Sequence, residues 1–297
     1  MKIAIVGGTG LIGRKLYKSL LEDGHTVFLF VRDITKYEDL ETDQLRIIPL
    51  NPLNLKETLE ESDAVINLAG SNIYSTRWNE KVKKEIRSSR IDTTRLVVDT
   101  INSLDKRPEI FINSSATGFY ESGLSEKVVT EQDSNGTSFL STLCKDWETE
   151  ATKANCKVAL VRTAIVIDRK KGALPKLLQS YQMNVGTLIK PGKQMFSWIH
   201  IEYLIRIFKF ILDQKITGPV NASSPEAISF EQLSKILGKI YTPLFTFPVP
   251  VWASKLALGE VADYLVTGSN VYPKVLVDKG FEFNYKDLSS VIKAFQG

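Results

Sequence analysis

The sequence has 297 residues, of which 43% are hydrophobic and 24% charged, with a formal net charge of +4 at pH 7. This balance excludes a disordered chain, and no apolar run is long enough to cross a bilayer. Basic and acidic residues are interspersed, which argues against a nucleic-acid partner. The two cysteines and two histidines have no metal-ligand spacing, so we predict no metal site. Because the N-terminus lacks signal-peptide features, we expect a cytoplasmic protein with no membrane partner.

Short apolar segments alternate with longer amphipathic ones along the first part of the chain. They read KIAIVGG, TVFLFVR, LRIIPL, DAVINLAG, EIFINSS and KVALVRTAIVI. Strands this apolar are usually covered by helices on both faces of a sheet. The alternation therefore predicts an α/β fold, namely a Rossmann-type doubly wound parallel sheet.

The pattern changes after Asp168. GALPKLLQSYQMNVG is helical after its proline, SWIHIEYLIRIFKFILD passes from a strand end into a helix, and GPVNAS resembles a further strand. The remainder is mostly helical apart from the proline-broken TPLFTFPVPVW. We therefore predict a Rossmann domain over 1–168 whose sheet is completed by about 196–224, and a small, mostly helical C-terminal substrate lobe over 169–195 and 225–297.

The segment KIAIVGGTGLIGRKLYKSLLEDG contains a buried strand, three spaced glycines and then a helix. Glycine is needed where the turn is tight, where backbone approaches a diphosphate and where the helix packs closely on the sheet. The free amides at the helix N-terminus attract phosphate. A glycine-rich turn without a ligand is the alternative, but the flanking strand and helix favour dinucleotide binding. The predicted cofactor contacts here are Gly7, Thr9, Gly10, Leu11, Ile12 and Gly13.

The end of the second strand distinguishes between two cofactors. NAD-binding folds usually place a carboxylate there for the ribose 2′-hydroxyl, whereas arginine accommodates a 2′-phosphate. Here the strand ends in Val31 and Arg32, with Asp33 one position beyond. We predict NADP in preference to NAD, with Arg32 binding the phosphate. A solvated arginine at a strand end is the alternative.

The glycine spacing, NLAG at 67–70 and INSSATGFY after the fifth strand resemble the extended short-chain dehydrogenase/reductase superfamily. More narrowly, NLAGSNIYSTRWNEKVKKEIRSSRIDTTR, LCKDWETEA, SWIHIEYL and VYPKVLVDKGFEF are similar to an atypical subgroup of the NAD-dependent epimerase/dehydratase family. This subgroup is also described as sugar-nucleotide epimerases or cell-division inhibitors. The resemblance covers almost the whole chain and is more specific for family than for reaction.

The resemblance implies roles for residues at matching positions. Ser115 matches the serine that hydrogen-bonds the substrate oxygen, although it could simply cap a turn. His200 falls where the chain returns to the sheet edge, as a candidate catalytic residue or as a packing residue. The further cofactor contacts that the resemblance implies are Leu68, Ala69, Gly70, Arg162 and Thr163.

The superfamily places a catalytic tyrosine one helical turn before a lysine that holds the nicotinamide ribose, and the matching pair here is Ser141 and Lys145. An aliphatic hydroxyl is a much weaker acid than a phenol, so Ser141 cannot replace the tyrosine. Lys145 is either a cofactor ligand or a surface lysine. The candidate proton donors are Tyr120, then His200, then Tyr74. Alternatively, Ser115 acts with a water molecule.

Cys144 precedes Lys145, whose charge would favour a thiolate, but no histidine is nearby in sequence. We interpret it as a small buried packing residue.

Taken together, these features predict an NADP-binding oxidoreductase or epimerase that acts on a carbonyl or nucleotide-sugar-like small molecule. The alternative is a catalytically silent, NADP-dependent regulator or interaction protein. The sequence leaves open whether the protein is a monomer or a homodimer.

Overall fold

The computed structural model describes residues 1–73, 77–172, 174–284 and 287–294. The strands in these residues are β1 (Lys2–Val6), β2 (Thr26–Val31), β3 (Leu45–Pro49), β4 (Ala64–Asn67), β5 (Ile110–Ala116), β6 (Val128–Val129), β7 (Lys157–Thr163), β8 (Ile165–Ile167), β9 (Val185–Ile189), β10 (Met195–Phe196), β11 (Trp198–His200), β12 (Gly218–Ala222), β13 (Ile228–Ser229), β14 (Phe245–Val249) and β15 (Asn270–Val271). The α-helices are α1 (Leu11–Glu22), α2 (Pro52–Glu60), α3 (Glu80–Ser103), α4 (Phe139–Ala151), α5 (Leu174–Gln182), α6 (Ile201–Gln214), α7 (Phe230–Tyr241), α8 (Val251–Leu258), α9 (Asp263–Val266), α10 (Lys274–Asp278) and α11 (Leu288–Ala294).

Seven strands form the central sheet in the order β12-β7-β5-β4-β1-β2-β3. All six neighbouring pairs are parallel. The strand order reverses between β1 and β4, and in doubly wound sheets ligands bind outside the carboxyl ends of the strands at such a switch point. The predicted fold class is therefore confirmed, and it locates the site at the ends of β1 and β4.

Both faces of the sheet are buried because successive side chains of a strand point to opposite sides. In β1, Ile3 and Ile5 pack in the cluster that contains Leu16 of α1 and Phe208 of α6. Ala4 and Val6 face the opposite cluster, which contains residues of α2 and α3. Burying a large aliphatic side chain contributes about 1.5–3 kcal/mol, so helices on both faces stabilise this continuously apolar strand. No helix in the described residues is long and apolar enough to span a membrane.

The C-terminal half departs from the sequence pattern in two places. KVALVRTAIVI forms two strands, β7 and β8, because Ala164 N donates to Ala222 O in the central sheet whereas Ile165 N donates to Ser197 O beside β11. TPLFTFPVPVW includes a strand, β14, which pairs in parallel with β9. Pro248 is tolerated there because β14 is an edge strand of a two-stranded sheet. The predicted strand in GPVNAS is confirmed as β12, while the division of the chain into two domains stays a prediction.

Candidate active site at the carboxyl edge of the sheet

The loop between β1 and α1 needs its glycines for three different reasons. Gly7 has φ +77°, and a Cβ there would lie 2.6 Å from Ala69 N, so the loop touches the backbone that follows β4. A Cβ on Gly13 would lie 2.3 Å from Gly8 Cα, so α1 packs directly on the loop. At Gly10, by contrast, the nearest atom of the described residues to a Cβ would be Gly7 O at 3.8 Å. The loop is therefore closed towards the protein and open at Gly10.

The N-terminus of α1 has no side-chain cap at Gly10. The backbone hydrogen-bond ladder begins with Arg14 N, which donates to Gly10 O at 3.0 Å. Arg14 Nε also donates to Thr9 O at 2.7 Å and so holds the loop against the helix. Leu11 and Ile12 are half-buried in the first turn, whose uncapped amides suit a diphosphate.

The carboxylate at the end of β2 is already engaged by neighbouring residues. Asp33 lies 2.8 Å from Lys36 Nζ and accepts a hydrogen bond from Thr35 Oγ1 at 2.7 Å. The hydrogen bond from Lys36, followed by that from Thr35, holds the pKa of Asp33 below its ordinary value. Arg32 is exposed beside this pair. Its guanidinium is thus the first charged group beyond the buried part of β2.

A buried asparagine orders the backbone after β4. Asn67 Nδ2 donates to Thr94 Oγ1 at 2.9 Å and to Asn113 Oδ1 at 2.8 Å. Its own Oδ1 accepts from Ala69 N at 3.1 Å. The segment 68–70, which the sequence assigns to the cofactor, is therefore held against Gly7 by hydrogen bonds from β4, β5 and α3.

Three neighbouring strands place Ser115, Arg162 and Asn221 side by side on one rung of the sheet. Glu148 of α4 covers this rung. Arg162 donates from Nε and Nη2 to the two oxygens of Glu148, each at 2.8 Å, and both side chains are buried. Ser115 Oγ donates to Glu148 Oε1 at 2.6 Å. Since the Ser115 proton points to Glu148, the lone pairs of Ser115 remain for other donors.

Tyr120 belongs to the same buried network. Its hydroxyl donates to Asn221 Oδ1 at 2.7 Å and accepts from Arg162 Nη1 at 2.9 Å. Burial raises the pKa of Tyr120 to about 12, although the Arg162 charge opposes the shift. The phenol is only 1% exposed. Its predicted role as a proton donor stays a prediction, and in this geometry its proton is given to Asn221.

The helix α4 presents Leu140 and Cys144, which are one turn apart, on its buried face. A Cβ added to Gly118 would lie 3.4 Å from Leu140 Cβ, and Ser141 Oγ donates to Gly118 O at 2.9 Å. Lys145 follows the buried Cys144, and consecutive helix positions differ by about 100° in direction, so the Lys145 side chain is turned away and exposed. Of the two neighbours, Cys144 faces the sheet beside Ser115 and Ala116 of β5, and Lys145 faces solvent. The contact of Lys145 with a ribose accordingly stays a prediction.

Two further predicted site residues, Thr163 and His200, end strands of different sheets. Thr163 is half-buried at the end of β7, with Oγ1 3.4 Å from Val161 O. His200 precedes α6, and burial lowers its pKa while the Glu202 carboxylate opposes that shift. Tyr74 lies outside the described residues.

Sequence reasoning missed Glu148, which contacts both Ser115 and Arg162. An acidic residue on an amphipathic helix is usually solvated, so the sequence provides no reason to select it. Glu150 of the same helix is equally buried, so only the partners Ser115 of β5 and Arg162 of β7 distinguish Glu148 from the other acids of α4.

Cys144 is buried, in agreement with its interpretation as a packing residue. Burial, followed by the nearby Glu148 carboxylate, raises the pKa of its thiol to about 12. We therefore expect no alkylation of Cys144 by iodoacetamide at pH 8 in the folded protein, because a thiolate is required. Mass spectrometry of the native and the urea-unfolded protein checks this, and rapid native labelling of Cys144 would contradict it.

A parallel doubly wound sheet with a glycine-rich turn at its switch point defines a Rossmann-type protein. The NAD dependent epimerase/dehydratase family profile matches residues 3–223, and a domain of unknown function, DUF1731, matches residues 249–295. The chain belongs to the NAD dependent epimerase/dehydratase family. The resemblance drawn from its motifs is thereby confirmed, and family and fold together support a nicotinamide dinucleotide cofactor.

Three similar proteins illustrate this relationship. The Arabidopsis thaliana "Epimerase family protein SDR39U1 homolog, chloroplastic" is 35% identical over 302 residues, covering 99% of this chain and 86% of that protein. Epimerase family protein YfhF of Bacillus subtilis is 31% identical, covering 97% and 95%. The crystal structure of human epimerase family protein SDR39U1 (isoform 2) with NADPH has a TM-score of 0.86 at 26% identity and covers 99% of both chains.

Proposed function

We propose that this protein is an NADP(H)-dependent oxidoreductase or epimerase that acts on a carbonyl or nucleotide-sugar-like small molecule. The observation that carries the proposal is the glycine loop, which is closed towards Ala69 and Gly8 but open at Gly10, at the switch point of the sheet. A diphosphate fits this loop because the first-turn amides of α1 are uncapped. The human relative solved with NADPH supports the same cofactor. When bound, the nicotinamide supplies or accepts a hydride.

The proton at the substrate oxygen is handled by Ser115 and Glu148 in this proposal. Ser115 Oγ already donates to Glu148 Oε1 at 2.6 Å, so it can accept the proton of a substrate alcohol while its own proton passes to Glu148. In the opposite direction, Glu148 returns a proton to Ser115, which protonates the reduced carbonyl oxygen. Arg162 holds the carboxylate in place through two hydrogen bonds.

The preference for NADP rests on Arg32, which is exposed at the end of β2, while Asp33 is engaged by Lys36. We expect Arg32→Ser to weaken NADPH binding about tenfold or more, since a hydrogen bond to a charged group contributes about 1.5–3 kcal/mol. NADH lacks the 2′-phosphate, and its affinity should not change. Isothermal titration calorimetry with both cofactors provides the measurement.

Arg107→Ser is a suitable control for this experiment. Arg107 is also exposed, but it precedes β5 and therefore lies at the opposite edge of the sheet. This variant should bind NADPH like the wild type. Equal losses of NADPH and NADH affinity in Arg32→Ser would remove the argument for NADP specificity.

A second function, that of an NADP-dependent regulator without turnover, is favoured by one feature of α4. Its buried face carries Leu140 and Cys144, which cannot replace a catalytic tyrosine and lysine. The hydroxyls of Ser141 and Tyr120 donate to protein acceptors, so their protons are not directed to a substrate. To separate the two functions, we would follow the absorbance of NADPH with a panel of carbonyl compounds and nucleotide sugars. Turnover supports the oxidoreductase, and NADPH binding without turnover on the whole panel favours the regulator. A failure to bind either cofactor would contradict both.

A further inference from the structure

Arg90 of α3 places its guanidinium directly beside the backbone that follows β4. Nη1 donates to Ile86 O at 3.0 Å and Nη2 donates to Ser71 O at 3.1 Å. A Cβ added to Gly70 would lie 3.0 Å from Arg90 Cζ, so the absence of a side chain at position 70 allows this approach. Gly70 adjoins Ala69, which touches Gly7, so the guanidinium lies one residue beyond the backbone that contacts the glycine loop.

Arg90 differs from two other arginines of α3 in that they have acidic partners. Arg87 pairs with Asp146 at 2.7 Å, and Arg95 pairs with Glu150 at 3.4 Å. No carboxylate of the described residues lies within 4.0 Å of the Arg90 guanidinium. Arg90 is nevertheless half-buried, whereas Arg87 is exposed. A cation that is withdrawn from water is costly unless an anion accompanies it.

The groups that surround Arg90 do not supply this anion. Cys144 is the titratable neighbour, but burial raises the pKa of its thiol to about 12, so it is uncharged at neutral pH. The Trp147 ring lies 5.3 Å from Arg90 Cζ and covers the guanidinium without neutralising it. Desolvation by burial lowers the pKa of Arg90, yet an arginine remains protonated at neutral pH.

The guanidinium also keeps unused hydrogen-bond capacity. It has five N–H donors, and hydrogen bonds within the described part of the chain account for two of them. The two bonds to backbone carbonyls fix the plane of the fork, which suits it to bind an anion through two parallel hydrogen bonds. The position, the charge and the unused donors of Arg90 therefore favour an anion at the edge of the sheet between the glycine loop and Ser115.

We infer that Arg90 binds an oxyanion, of the phosphate class, at the carboxyl end of β4. This inference rests on the proposed function, because it extends the dinucleotide site from the glycine loop towards Ser115. Two sources have the required chemistry: the phosphate on the nicotinamide side of NADPH, or a phosphate carried by the substrate. Arg90 thereby supplies a cation beside the buried Cys144 of α4, whereas Lys145 faces solvent.

The test is calorimetric titration of the wild type, Arg90→Met and Arg90→Lys with NADPH, adenosine 2′,5′-bisphosphate and inorganic phosphate. A phosphate on the nicotinamide side predicts that Arg90→Met loses about tenfold or more in NADPH affinity but keeps its affinity for adenosine 2′,5′-bisphosphate, which lacks that half. If the anion is instead a phosphate of the substrate, Arg90→Met should bind NADPH with unchanged affinity. Inorganic phosphate should then bind the NADPH-saturated wild type, and it should bind NADPH-saturated Arg90→Met at least about tenfold more weakly. Either result supports the inference and identifies the source.

Arg95→Met is the matched control, since Arg95 is on the same helix but already has Glu150 as its partner. It should bind all three probes like the wild type. Arg90→Lys keeps the charge with fewer donors and should show an intermediate loss, which provides a second variant if Arg90→Met does not fold. Affinities of the folded Arg90 variants within twofold of the wild type for both NADPH and phosphate would overturn the inference. If the wild type binds no NADPH, the proposed function fails, and phosphate titration of the free protein still tests Arg90.

Discussion

Replacing Gly7 with alanine is expected to abolish measurable NADPH binding and to lower the free energy of unfolding by about 2–5 kcal/mol. The added Cβ would lie 2.6 Å from Ala69 N and 2.7 Å from Leu68 C, which are backbone atoms that no rotamer change can move. Relief requires the loop to withdraw from the end of β4, which would displace the amides that face the diphosphate. Urea unfolding and calorimetric titration with NADPH measure the two effects.

Gly24→Ala is the matched control for this prediction. Gly24 has φ +80°, close to the +77° of Gly7, but no atom in the described part of the chain lies within 4 Å of the added Cβ. It should therefore show only the cost of a left-handed alanine, about 1–2 kcal/mol, with NADPH binding intact. If both variants lost the same stability and both bound NADPH, the close approach between Gly7 and Ala69 would have no energetic role.

Replacing Arg162 with methionine is expected to lower the free energy of unfolding by about 3–5 kcal/mol, because it leaves the Glu148 carboxylate buried without its cation. The pair is held by two hydrogen bonds of 2.8 Å, and the two side chains are only 5% and 8% exposed. The double variant Arg162→Met, Glu148→Leu should recover most of the loss, since apolar residues of similar volume often replace a buried pair at little cost. Urea unfolding of the three proteins gives the coupling energy.

The exposed pair Arg87–Asp146, which joins α3 to α4, is the control. Its atoms lie 2.7 Å apart, but the side chains are 47% and 37% exposed, so Arg87→Met should cost less than about 1 kcal/mol. A loss in Arg162→Met no larger than in Arg87→Met would show that the buried pair is not maintained in solution. The double variant also tests the proton route: if Glu148 accepts the Ser115 proton, stability recovers but turnover does not.

The prediction of the fold from sequence succeeded where the signal is local. The strands β1, β2, β4 and β5 have apolar runs whose neighbours in the sheet are equally apolar, so each pattern is recognisable without knowledge of the partner. The sequence pattern did not predict that KVALVRTAIVI is divided into β7 and β8, because both halves of the segment are equally apolar. What separates β7 from β8 is the pairing of Ala164 with Ala222 and of Ile165 with Ser197, which are residues far apart in the chain.

The candidate site shows the same contrast. Lys145 follows Ser141 by one helical turn, and the match of this pair to the superfamily's Tyr–Lys pair implied a shared catalytic face. The rotation of α4 about its axis depends on packing, and here Cys144 faces the sheet while Lys145 is exposed. A shift of one residue turns a helical position by about 100°, which no spacing rule can resolve without the partner surface.

The sequence by itself determined the parallel doubly wound sheet, the glycine loop at its switch point and the basic residue after β2, because strand periodicity, glycine conformation and helix polarity act over a few neighbouring residues. Only the tertiary structure decided that Glu148 meets Arg162 and Ser115, that Tyr120 donates to Asn221, and that Arg90 lies against Gly70 without an acidic partner among the described residues. These contacts join residues 14 to 101 positions apart. The physical reason is that burial and charge compensation depend on which distant segments pack together.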